Sequence, residues 1–105
     1  MKYENIDVAI QAYIDYMIED YGRFSQNKDM FEEFKNSFRV DPGRKYIKII
    51  SGGSCRAFIV KKDDGVYKAG DLLKPASWAA PAKHARGNVI EGKFSGGWTG
   101  PAYLK

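Results

Sequence analysis

The residue types able to carry chemistry crowd into the last three-fifths of the chain, where cations alternate with aromatic rings. Arg44, Lys45, Lys48, Arg56, Lys61, Lys62, Lys68, Lys74, Lys83, Arg86 and Lys93 stand among Tyr46, Phe58, Tyr67, Trp78, Phe94, Trp98 and Tyr103. Such a mixture suits RNA or single-stranded DNA, because cations meet phosphates while flat rings stack on bases at roughly 1–3 kcal/mol per base. The same residues also have a plainer use, since strand aromatics fill cores and lysines solvate outer faces. A docking surface therefore requires the cations to gather on one open side. Arg44, Lys48, Arg56, Lys83, His84 and Arg86 are the expected nucleic-acid contacts, with Trp78 and Trp98 as the expected stacking rings.

Catalytic readings are thinner. His84 is the one side chain whose unperturbed pKa lies near neutrality, so it is the natural acid or base of any enzyme built here. Ser54 and Cys55 are potential nucleophiles, but neither has a base at a recognisable spacing. Cys55, at a strand start, reads as a small core residue. As the single cysteine it excludes an internal disulfide and a cysteine metal cluster within one chain. The four acids after residue 42, Asp63, Asp64, Asp71 and Glu91, form no pair with glycosidase or metal spacing. "SGGS" at 51–54 and "SGG" at 95–97 lack the Lys-Ser/Thr ending of a P-loop and the three-glycine spacing of a dinucleotide fingerprint. They read as strand reversals. No catalytic residue, cofactor or metal is expected.

The overall charge of +4 conceals a division along the chain. Residues 1–42 hold five Lys/Arg against nine Asp/Glu, a net of −4, and residues 43–105 hold twelve against four, a net of +8. The halves either neutralise each other within the fold or leave the basic one to a polyanion. At 105 residues the chain has room for one core, and its 15 aromatics (six Phe, seven Tyr and two Trp) supply ample material to bury. No stretch reaches the roughly 18 apolar residues of a membrane span, and acids interrupt the start. The expectation is a soluble cytoplasmic protein with no membrane partner; the sequence leaves the oligomeric state open.

The elements that must position these residues follow from periodicity. Ile6, Ile10, Tyr13, Met17 and Tyr21 recur at helical spacing, predicting an amphipathic helix over 5–21, capped by Asn5 or Asp7 and ended by Gly22. A second helix is predicted from Lys28 to Phe38, with Asn27 as cap and Met30, Phe31, Phe34 and Phe38 on one side. "DPGR" at 41–44 then stops the helical part. "RKYIKIIS" and "CRAFIVKK" predict strands joined at "SGGS", the first with Lys45, Ile47 and Ile49 on one face and Tyr46, Lys48 and Ile50 on the other. "KKDDGVY" predicts a hairpin in which Asp64 and Gly65 both take positive φ. A "KxGD" turn at 68–71 follows. Residues 74–88, poor in β-branched residues and holding Pro75 and Pro81, predict a long ordered loop whose Lys83, His84 and Arg86 lie outside any ladder. Two short strands are expected near 88–94 and 98–104, with a rigid aromatic corner at 98–101.

The series "KYIKIIS", "YKAGDLL", "SWAAPA", "RGNVI" and "WTGPAYL" resembles the C-terminal portion of small uncharacterised proteins of large tailed bacteriophages, over residues 44–105 alone. The resemblance implies no activity. It does imply a setting, the cytoplasm of an infected bacterium. The expected architecture is one α+β domain over 1–105, with a helical segment at 1–42 and a basic β segment at 43–105. The helices would precede a small, strongly bent antiparallel sheet, or partly open barrel, of about five strands. The expected function is a non-enzymatic module contacting RNA or single-stranded DNA through the basic, aromatic-bearing sheet and the 74–88 loop. The alternative is a phage-type protein that binds and inhibits a host or defence protein through its acidic helices or the aromatic loop.

Overall fold

The computed structural model describes residues 3–24, 26–78, 80–94, 96–97 and 100. The helix α1 (Ile6–Phe24) begins where Asn5 stops the chain's descent into coil: the Val8 N–H donates to Asn5 Oδ1 at 3.0 Å, and the Ala9 N–H to the Asn5 carbonyl at 3.1 Å. Its apolar stripe is buried at Ile10, Tyr13, Met17 and Tyr21, widened by Ala9 and Ile14. Gly22 does not end it. The helix continues through this glycine to Phe24, because Gly22 serves as a close-approach site: a Cβ there would lie 2.9 Å from the Phe31 ring.

The second helix, α2 (Lys28–Lys35), is capped by Asn27, whose Oδ1 accepts from the Met30 N–H at 3.0 Å. It stops three residues short of Phe38. Ser37 terminates it, donating through Oγ to the Phe34 carbonyl, and Phe38 opens a strand, β1 (Phe38–Pro42). The Phe38 ring nevertheless packs edge-on against Phe34 at 5.1 Å, as helical spacing would have required. The helical segment therefore ends well before residue 42. Pro42 is tolerated because β1 is an edge strand that pairs on one side only.

Four further strands complete an antiparallel meander, β2 (Tyr46–Ser51), β3 (Ser54–Val60), β4 (Asp71–Pro75) and β5 (Pro81–Asn88), in the order β1-β2-β3-β4-β5 without closure. β2 and β3 reverse at Gly52 and Gly53, with φ of 60° and 81°, as a two-residue hairpin demands. Between β3 and β4 the expected tight hairpin is replaced by a ten-residue connection, 61–70. Asp64 keeps a negative φ there and works through its carboxylate, accepting from the N–H groups of Val66 at 3.0 Å and Tyr67 at 2.8 Å. The 68–71 turn is present, with the Lys68 N–H donating to Asp71 Oδ2 at 2.9 Å.

The region 74–88 is a hairpin, not a long loop. The Ala76 and Ser77 N–H groups donate to the Ala80 carbonyl, each at 3.0 Å, and β5 returns along β4 with Pro81 opposite Pro75. Both prolines sit at strand ends, and β5 is an edge, so their missing N–H groups cost the ladder little. The expected strand at 88–94 is a reverse turn closed by paired bonds between Asn88 and Lys93, each 2.9 Å. The expected strand at 98–104 and the 98–101 corner lie outside the described residues, apart from Gly100. That glycine, at φ 117°, faces Gly97 across a short bridge and rides on β3, where a Cβ would meet the Arg56 carbonyl at 2.3 Å.

The pleat divides the apolar residues between two surfaces. Ile47, Ile49, Ala57, Ile59 and Leu72 lie under Ala9, Ile10, Tyr13, Ile14 and Met17 of α1, forming the main core, with Val89 buried beside them. Phe58, Val60 and Leu73 cluster on the opposite face, with Tyr46, Cys55 and Tyr67 against them. Among the described residues no helix covers that second cluster.

Candidate nucleic-acid interface

On the helix-free face one row of partners runs across the sheet: Asp41, Lys48, Phe58, Leu73 and Ala85. Lys48 sits inside this row because β2 alternates, sending Ile47 and Ile49 to the core and Lys48 away from it. Its ammonium lies 4.7 Å from the centroid of the Trp78 ring and 5.8 Å from that of Phe58. Trp78 comes from the β4–β5 turn and is 48% exposed, whereas Phe58 is 2% exposed and forms the floor. Tyr46 meets Phe58 edge-on at 5.8 Å. The cation is thus held by two ring faces, an attraction worth about 0.5–1 kcal/mol at an exposed site.

Beside this cluster runs a groove of about 260 Å³ lined by Asp41, Gly43, Arg44, Lys45, Tyr46, Lys48 and Phe58. Three cations therefore border one channel, opposed by the single carboxylate of Asp41 within it. Lys45 is fixed from the other side by Asp64 at 3.6 Å, with its ammonium 5.5 Å from the Tyr46 ring. The Tyr46 phenol oxygen first, then the Asp64 carboxylate, push the Lys45 pKa up, so it remains charged well above neutrality. Lys61 reaches back to donate to the Gly43 carbonyl at 3.0 Å, tying β3 to the β1–β2 turn that presents Arg44.

Of the residues expected from sequence to form the site, the structure unites Arg44, Lys48 and Trp78. It also recruits Lys45, Tyr46 and Phe58. Lys45 precedes β2, so the expected face-sharing with Ile47 and Ile49 does not apply to it. Arg56 is elsewhere. Ile49 pairs with Ala57 and Ile50 with Cys55, leaving Arg56 as the extra residue of a β-bulge that directs it to the helix side. Lys83, His84 and Arg86 belong to the ladder strand β5, not to a free loop. Lys83 and His84 are exposed there; Arg86 donates through Nη1 to the His84 carbonyl at 2.6 Å, and the Tyr67 hydroxyl donates to the Lys83 carbonyl. Trp98 lies outside the described residues.

The ion pairs Arg23–Asp20, within α1, and Lys45–Asp64, within the basic segment, both join residues of one half of the chain. Glu4, Asp7, Asp15 and Glu19 of the helical half are exposed. Cys55 is half-buried on the open face; burial pushes its thiol up, outweighing the nearby Lys48, which disfavours a nucleophilic role. Among the described residues no three His, Cys, Asp or Glu side chains converge as for a metal ion, and no helix is long and apolar enough to cross a membrane.

These features belong to an α+β domain with one covered and one open sheet face. The chain belongs to DUF7717, a family of unknown function whose model matches residues 1–100. No curated protein and no solved structure matches it.

Proposed function

We propose that this protein binds RNA or single-stranded DNA on the helix-free sheet face, without catalysis. The observation that carries this reading is Lys48 beneath the exposed Trp78, at the head of a groove bordered by Arg44 and Lys45. A base stacks on Trp78 while the following phosphates run past the three cations. The register shifts in β2–β3 and β4–β5 support a strongly bent sheet, approaching a partly open barrel, because bulges increase local twist. Stacking on a ring is tolerant of base identity, so the expected specificity is for single strands over duplex, not for a particular sequence.

The test is fluorescence anisotropy with labelled oligouridylate and oligothymidylate about 10 nucleotides long, titrated between about 50 and 200 mM salt. Three phosphates neutralised on a single strand give a slope of log K against log salt of about −2. Lys48→Ala should flatten that slope by about 0.7. Absence of binding at the lowest salt, or an affinity independent of salt, would overturn the proposal and leave the host-protein partner as the reading to pursue.

A further inference from the structure

A second cleft lies on the other side of the sheet, between the end of α1, α2 and the β2–β3 turn. It has a volume of about 220 Å³, and Tyr21, Phe34 and Met30 make much of its wall. Tyr21 and Phe34 stack at 4.2 Å, giving one flat apolar side, and Met30, 51% exposed, stands at the mouth. Ser37 and Ser51, whose hydroxyls bond each other at 2.7 Å, add a polar edge.

Into this cleft the β-bulge delivers Arg56. Among the described residues its guanidinium has no ion pair and no hydrogen-bond acceptor, and its Nε is buried without a partner. A half-buried cation in that condition carries a desolvation cost that no group among the described residues offsets. Bulges commonly re-aim one side chain beside a binding site, and here the re-aimed residue is the unpaired one. Glu33, the other charged residue on the wall, is exposed on α2.

We infer that this cleft binds a small monocarboxylate with an aromatic or branched apolar body, its carboxylate on Arg56 and its body against Tyr21 and Phe34. The volume admits one ring with a short arm, whereas a nucleotide is too large. A planar carboxylate matches the guanidinium fork and supplies the acceptors that Arg56 lacks. The site is independent of the nucleic-acid face, which is on the opposite side of the sheet.

The probe is phenylacetate, compared with the neutral phenylacetamide, each followed by amide and methyl chemical shifts on the full chain. The expected result is saturable movement at Tyr21, Met30 and Gly52, with phenylacetate favoured over the amide by about tenfold, the worth of one charge-assisted hydrogen bond. Arg56→Gln should abolish that preference. Glu33→Gln, at an exposed position that does not threaten folding, should tighten phenylacetate binding by removing a like charge. Equal affinity for acid and amide, persistence of the preference in Arg56→Gln, or shifts confined to Lys48 and Trp78 would each overturn the assignment.

Discussion

The two faces of the sheet are made from the same strands, yet they are built to different ends. Toward α1, Ile47, Ile49, Ala57, Ile59 and Leu72 form an apolar layer sealed by the helix. On the other side the rows contain Tyr46, Lys48 and Phe58, and Lys48 occupies the middle of a row that could have been apolar. A core requires no cation there. The difference teaches that alternation along β2 encodes two surfaces, one for stability and one left free for contact. The sharpest way to break this comparison is to truncate one residue from each. Leu72→Ala should lower stability by about 2–5 kcal/mol, since it leaves a cavity under α1. Lys48→Ala should change it by no more than about 1 kcal/mol, the worth of its contacts with the two rings. Chemical denaturation measures both, and a comparable loss for the two variants would mean that the open face is structural after all.

Trp78→Ala sharpens the same contrast from the binding side. Its ring is half-exposed and rests on Lys48, so removal should weaken single-strand binding by about 1–3 kcal/mol, or 5- to 150-fold. The denaturation midpoint should hardly move. Strong destabilisation with unchanged affinity would turn Trp78 into a lid over a second core.

The core packed under α1 includes a polar group. Tyr13 is fully buried, and among the described residues its hydroxyl has no hydrogen-bond partner. Burial, and secondarily the neighbouring Tyr16, push its phenol up, so the ring remains neutral at any ordinary pH. Its ring packs at 5.5 Å from Phe94 and 6.3 Å from Tyr16, which explains why an aromatic is retained. Tyr13→Phe keeps those contacts and removes the unsatisfied group, so it should raise stability by about 1 kcal/mol. A loss of stability would show that the hydroxyl is bonded in solution and that the sealed face is wetter than its composition suggests.

How legible each face was depended on whether local pattern or tertiary pairing decided it. The covered face was readable: helical spacing marks Ile10, Tyr13, Met17 and Tyr21, and strand alternation marks Ile47 and Ile49. The start of β1 was not, because Phe38 satisfies helical spacing to Phe34 and strand pairing to Ser51 together. β5 was hidden for another reason. Ala82, Lys83, His84 and Ala85 have little strand preference, and it is pairing with β4 that makes them a strand. On the site, composition pointed to Arg44, Lys48 and Trp78, but not to their grouping across β2, β3 and the β4–β5 turn. Arg56 is separated from that group by one physical event, the bulge opposite Ile49 and Ile50, which inserts a residue and reverses the strand parity beyond it.

The smallest expected effect concerns the rim of the open face, where Asp64 holds the 61–70 connection and anchors Lys45. The Tyr67 N–H, followed by the Val66 N–H and Lys45, holds the Asp64 carboxyl below the usual aspartate range, against some desolvation. A carboxyl depressed in the folded state stabilises the protein above its unfolded pKa of about 4 and loses that contribution as the pH falls through the lower folded value. Lys45 is shifted in the opposite sense, upward, so its part is complete below the unfolded lysine value near 10.5 and fades as the pH rises through the folded one. Asp64→Asn preserves an oxygen for the two N–H groups and deletes only the charge. It should therefore lower Tm slightly at neutral pH and not at all below about pH 3. Because Lys45 is released from its anchor in the same variant, its ammonium becomes free to meet a phosphate, and single-strand affinity should hold or rise at low salt. A fall in affinity at neutral pH would mean instead that Asp64 organises the groove, and that the cations alone do not define the open face.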